Sequence, residues 1–83
     1  MKSIVILISG RGSNMQALLE AALPVRIAAV ISNNPDAAGL EIAKKHNIET
    51  CVVDHRKYPD RATFDLLLAD KIDFYRPSLI VLA

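Results

Sequence analysis

The stretch Ile4-Val5-Ile6-Leu7-Ile8-Ser9-Gly10-Arg11-Gly12-Ser13-Asn14 decides the fold class. Its first five residues are continuously apolar and mostly β-branched, the pattern of a central parallel strand covered on both faces. Ser9 to Asn14 is a turn cluster, and Met15, Leu18, Leu19 and Ala22 follow it at helical spacing. The stretch therefore reads as a strand, a tight loop and the N-terminus of a helix.

The same unit recurs downstream. Leu23-Pro24 ends the first helix, because proline disfavours a helical conformation in the residue before it, and Ile27 to Ile31 reads as a second buried strand. The next turn is Asn33-Asn34-Pro35-Asp36, with Asp36 placed to cap a helix whose apolar face is Ala38, Ile42 and Ala43. Lys44, Lys45 and His46 put positive charge at the negative end of that helix, and Asn47 suits a left-handed closing residue. Thr50 to Val53 reads as a third strand and residues 54–60 as a loop. From Asp60 to Tyr75, Phe64, Leu67, Leu68, Ile72 and Tyr75 recur every three or four residues, the mark of an amphipathic helix. Pro77 stops it, and Leu79 to Ala83 forms a fourth strand.

The order β-α-β-α-β-α-β predicts part of one α/β domain over residues 1–83, a Rossmann-like doubly wound parallel sheet with right-handed crossovers. Ligands bind such sheets beyond the carboxyl ends of the strands, where Ser9 to Asn14 lies. The fourth strand has no helix after it in this sequence, so apolar surface or a strand edge is expected to remain open, leaving the 83-residue polypeptide marginally stable or self-associating.

Composition narrows the function classes. The chain has 83 residues, 52% of them hydrophobic, with ten basic and nine acidic side chains. These proportions describe an ordinary globular sequence. A net charge of +1 without basic clusters gives no broad attraction to nucleic acid or an acidic membrane surface. No apolar run approaches the roughly 20 residues needed to cross a bilayer. The single Cys51 has no internal disulfide partner and the opening residues do not form a secretory signal, so a cytoplasmic location is expected. Nothing in the sequence specifies an oligomeric state.

The loop carries the chemistry. Gly10 and Gly12 allow a tight turn and bring main-chain N–H groups close to a ligand, and the following helix adds partial positive charge, a combination suited to phosphate. Ser13 and Asn14 add short hydrogen-bonding side chains, which on shape alone serve equally as phosphate ligands or as helix caps. The dinucleotide fingerprint needs a third glycine where this chain has Met15, and an acidic residue at the end of the second strand where it has Ser32 and Asn33. The P-loop needs a Gly-Lys-Ser/Thr sequence that this loop lacks.

Ile4 to Ala17, with its Ser-Gly-x-Gly-Ser-Asn element, resembles the opening of the phosphoribosylglycinamide formyltransferase family. Ile31-Ser32-Asn33, then Ala38-Gly39-Leu40, then Arg61 with Phe64 and Asp65, and finally Pro77 to Ala83 follow in that family's order and spacing, so the resemblance covers the whole chain. It implies the formyltransferase fold and transfer of a formyl group from 10-formyltetrahydrofolate to the amine of glycinamide ribonucleotide in purine biosynthesis. It assigns the ribonucleotide phosphate to Gly12, Ser13 and Asn14, and the folate side of the site to Arg61. An exposed Arg61 paired with Asp65 one helical turn on is the alternative reading of the arginine. The family's catalytic asparagine, histidine and aspartate lie downstream of the matched segment, so the resemblance gives no residue of this chain a catalytic role.

Other polar residues have plainer readings. His46 fits a helix end, His55 with Asp54 a solvated loop, and Cys51 an apolar core position. Asp70, Lys71 and Asp73 fit a solvated helix face, and no zinc or calcium spacing is present, so no metal is expected. Rival functions are another 10-formyl folate enzyme, such as a formyl folate hydrolase or a methionyl-tRNA formyltransferase, or a non-catalytic module that binds a phosphorylated metabolite.

Overall fold

The computed structural model describes all residues except Met1, Arg11, Gly12 and Ala22, and of Ser13 it describes the main chain only. The strands are β1 (Lys2–Ile8), β2 (Val25–Ser32), β3 (Thr50–Val52) and β4 (Leu79–Leu82). The helices are α1 (Ser13–Glu20), α2 (Ala38–Lys45) and α3 (Arg61–Tyr75), with a 3-10 turn at His55–Lys57. The alternating order predicted from the apolar runs is present. Ala22, expected on the apolar face of α1, lies outside the described residues, and the helix ends at Glu20, ahead of Leu23-Pro24.

The strands form one parallel sheet in the order β3-β2-β1-β4. Successive crossovers run outward from β1 to β2 and β3, and the chain then returns to place β4 on the other side of β1. The direction of winding thus changes at β1, the arrangement that opens a ligand crevice at the carboxyl ends of the central strands.

Alternation along β1 divides the core in two. Ile4, Ile6 and Ile8 pack against Met15 of α1 and Leu40 and Ala43 of α2. Val5, and with it the half-buried Leu7, packs on the opposite face with Phe64, Leu67, Leu68 and Ile72 of α3. Helices therefore cover both faces, α1 and α2 on one and α3 on the other. Strand β2 carries an irregularity: Ile4 pairs with Ile27, but Val5 pairs with Ala29, so Ala28 is an extra residue. Because side chains alternate with period two, one added residue exchanges the faces. Val25 and Ile27 join the α1/α2 face before the irregularity and Val30 joins it after, while Ala28 and Ile31 join the α3 face.

Two local expectations are corrected. Asp36 does not cap α2: the cap position is Ala37, without a side-chain hydrogen bond, and Asn34 Oδ1 accepts the Asp36 N–H at 3.0 Å in an Asx turn. The buried face of α2 is Gly39, Leu40 and Ala43, with Ile42 half-buried and Ala38 exposed, rather than Ala38, Ile42 and Ala43. Asn47 does adopt a left-handed conformation, with φ of 60°. Asp60 caps α3, its carboxylate accepting the Thr63 N–H at 2.7 Å.

Beside this core, Leu66, Phe74, Leu79, Ile80 and Leu82 are exposed on α3 and the edge strand β4. Cys51, expected in the core, is half-buried, because β3 is the opposite edge strand.

Candidate functional site

Residues from separate parts of the chain converge at the carboxyl ends of the strands. Ser9 follows β1, Ser32 and Asn33 close β2, Leu82 and Ala83 end the chain beside β1, and Phe64 and Leu68 approach from α3. Together with Leu7, Ile8 and Ile31 they line a cavity of about 220 Å³. Its wall is mostly apolar, with a few polar groups where the β1 and β2 loops begin, the composition usual for a small-molecule site.

Ser9, which opens the glycine-rich loop, lies at this end of the sheet. Helix α1 begins at Ser13, so the N–H groups of its first turn, which have no acceptor within the helix, lie at the carboxyl end of β1. Met15 is fully buried in the first turn and fixes that helix end against the sheet. Asn14, one residue earlier, is exposed. A Cβ added at Gly10 meets no atom within 4 Å among the described residues, so packing does not demand glycine there and the space over the main chain is open. Gly12 lies outside the described residues, as does the side chain of Ser13.

The turn after β2 is closely tied. Ser32, almost fully buried, donates through Oγ to the Asn34 carbonyl and accepts the Asn34 N–H, both at 3.0 Å. The Asn33 carbonyl accepts the His55 N–H at 3.4 Å and lies 3.1 Å from Nδ1 of the His55 ring. His55, read from sequence as a solvated loop residue, is exposed but joins two loops that the chain separates by 22 residues. Asp54 holds the next turn through the Arg56 main chain and guanidinium. These bonds, led by the side-chain bond to Arg56, bring the Asp54 carboxyl down to about 2.

Arg61 stands at the start of α3 in a shallow surface hollow with His55, Tyr58, Asp60 and Phe64. Its Nε donates to Asp65 Oδ1 at 3.0 Å, and its guanidinium carbon is 6.0 Å from the centre of the Phe64 ring. The Asp65 pairing considered from sequence is therefore present, and both partners are largely solvent-exposed. Phe64 lines both the hollow and the central cavity, so the two adjoin.

Among the described residues no group of three or more His, Cys, Asp or Glu is placed to hold a metal ion. No described helix is long and apolar enough to cross a membrane. In the sequence Asn33 stands out as a turn residue, as part of a family pattern and as a departure from the dinucleotide fingerprint, but not as a site residue. Its buried side-chain oxygen, which has no partner among the described residues, emerges only from the fold.

Residues 2–83 match a family model described as formyl transferase. The phosphoribosylglycinamide formyltransferase of Escherichia coli (strain K12) is 41% identical over 98% of this chain, which covers 40% of that protein. A trifunctional purine biosynthetic protein adenosine-3 of Bos taurus is 37% identical over 96% of the chain, which covers 8% of it. The solved structure of a phosphoribosylglycinamide formyltransferase from Coxiella burnetii superposes with a TM-score of 0.95 at 46% identity, over 99% of this chain and 40% of that one. The chain thus spans well under half the length of these relatives.

Proposed function

The chain belongs to the formyl transferase family, and from that premise we propose that it contributes the phosphate-binding part of an enzyme that formylates glycinamide ribonucleotide in purine biosynthesis. The observation that carries this reading is the match over residues 2–83 to proteins named for that activity, together with a helix that opens at Ser13 beyond the carboxyl end of β1. The ribonucleotide phosphate is held by main-chain N–H groups of Gly12, Ser13 and Asn14, by the Ser13 and Asn14 side chains, and by the positive end of α1. A phosphate fixed there orients the rest of the ribonucleotide along the carboxyl edge of the sheet.

The co-substrate is 10-formyltetrahydrofolate, with Arg61 on its side of the site. The guanidinium is exposed beside an aromatic ring and among the described residues is shared with Asp65 alone, through Nε, which leaves donors for an anionic group of the folate. In the transfer the substrate amine attacks the formyl carbon, the bond from that carbon to the folate nitrogen breaks, and the amine proton passes to the folate. The groups that move this proton lie outside the 83 residues in this reading. The reaction is placed in the cytoplasm.

Titration calorimetry of the full-length protein with the ribonucleotide tests the assignment. Asn14→Ala weakens ribonucleotide binding by about 1–3 kcal/mol, the loss of hydrogen bonding to a charged group, and leaves folate binding nearly unchanged. Gly12→Val abolishes ribonucleotide binding, because a branched side chain fills the space the phosphate needs. Unchanged affinity in both variants removes the loop from the site.

A further inference from the structure

One polar atom near the central cavity is left over after the fold has been accounted for. Asn33 Oδ1 is buried and has no hydrogen-bond partner among the described residues, although Asn33 lines the cavity at the carboxyl ends of the strands. A buried acceptor without a donor is costly, and native proteins seldom keep one unless something else supplies the donor.

The polar groups of the turn after β2 are already engaged. Ser32 Oγ is spent on Asn34, Asn34 Oδ1 on the Asp36 N–H, and the Asn33 carbonyl on His55. The turn is thus held by Ser32 at the main chain of Asn34 and by His55 at the carbonyl of Asn33, while the Asn33 side-chain acceptor has no partner among the described residues. The wall beside it is apolar, formed by Leu7, Ile31, Phe64 and Leu68.

We propose that Asn33 Oδ1 is a binding group of the transferase site that accepts a hydrogen bond from an N–H or O–H of a small molecule whose adjoining part is apolar, with His55 as the positioning residue for Asn33. The inference rests on the transferase reading above. Both the formyl donor and the amine substrate carry such hydrogens, and the arms of the test separate them.

The experiment is steady-state kinetics of the full-length protein, varying each substrate in turn, alongside thermal unfolding. Asn33→Leu keeps the size of the side chain and removes the acceptor. It raises KM for one of the two substrates by about five- to tenfold, and the substrate affected identifies the donor. Its melting temperature stays level or rises, since no side-chain hydrogen bond to the described residues is lost; a fall, or failure to fold, overturns the proposal in favour of a structural role. His55→Ala raises the same KM, and His55→Asn, whose amide can donate to the same carbonyl, restores it. Unchanged KM for both substrates in Asn33→Leu overturns the proposal while leaving the transferase reading intact. A wild-type protein without formyl transfer overturns that reading and this proposal with it.

Discussion

Asp54 and Arg56 meet as a two-pronged pair: Arg56 Nε donates to Oδ1 and Nη2 to Oδ2, each at 3.0 Å, while the Arg56 main-chain N–H also donates to Oδ1. The carboxylate is almost covered and the guanidinium is largely exposed, so the pair is closed on one side and reached by solvent and salt on the other. It ties the residue after Val53 to the turn that carries His55.

This pair gives the fold a defined acid dependence. The Asp54 carboxyl is lowered from its ordinary 3.8 to about 2, first by the side-chain bond to Arg56 and then by the Arg56 main-chain N–H. A carboxyl depressed by folding adds stability that is present above its unfolded value and is lost as pH falls through the folded one. Melting temperature measured between pH 5 and pH 2 is expected to drop for the wild type mainly below about 4. Asp54→Asn starts lower at neutral pH and flattens that part of the curve; an unchanged curve removes the pair from the stability of the fold.

Met15 links packing to the proposed phosphate site. It is fully buried between β1 and α2 in the first turn of α1. Met15→Ala is expected to cost about 2–5 kcal/mol in denaturant unfolding, by lost burial and the cavity left behind. Because the same turn supplies the N–H groups assigned to phosphate, calorimetry should show weaker ribonucleotide binding even under conditions where the variant is folded.

Asn47 sits at φ of 60°, where the main-chain N–H groups of Asn47 and Ile48 close the end of α2 on the Lys44 and Ala43 carbonyls. Asn47→Val is expected to destabilise by about 1–2 kcal/mol, since a β-branched side chain is poorly accommodated in the left-handed region. Asn47→Gly should be close to neutral. Urea unfolding of both variants checks the contrast, and equal effects would mean that backbone conformation is not the cause.

The exposed apolar residues of α3 and β4 predict how the 83-residue polypeptide behaves alone. Leu66, Phe74 and Leu82 are each more than 70% exposed, and Leu79 and Ile80 extend the surface along an edge strand. Light scattering is expected to show concentration-dependent association, reduced by Leu79→Lys with Leu82→Lys, because charge on an edge strand discourages pairing between chains. The polypeptide should also show no formyl transfer. A stable monomer that turns over both substrates would contradict both expectations.

The sequence by itself determined the alternation of elements, the helix read over Asp60 to Tyr75, the left-handed Asn47 and the glycine-rich loop after β1. Each of these rests on neighbours within a few positions, where periodicity, capping and turn chemistry act directly. Arg61 and Asp65 were also within reach, because residues four apart share a helix face.

Only the tertiary structure decided the rest. The order β3-β2-β1-β4 depends on how the crossovers pack, and no local pattern marks β1 as the strand at which the winding direction changes. The extra residue Ala28 was hidden because Ile27 to Ile31 is apolar throughout, and an unbroken apolar run carries no record of which residue faces which side. Asp36 looked like a cap until Asn34 took its N–H and moved the start of α2. Asn33 and His55 are 22 positions apart, and their contact exists only because parallel pairing of β2 with β3 brings the two loops to the same end of the sheet.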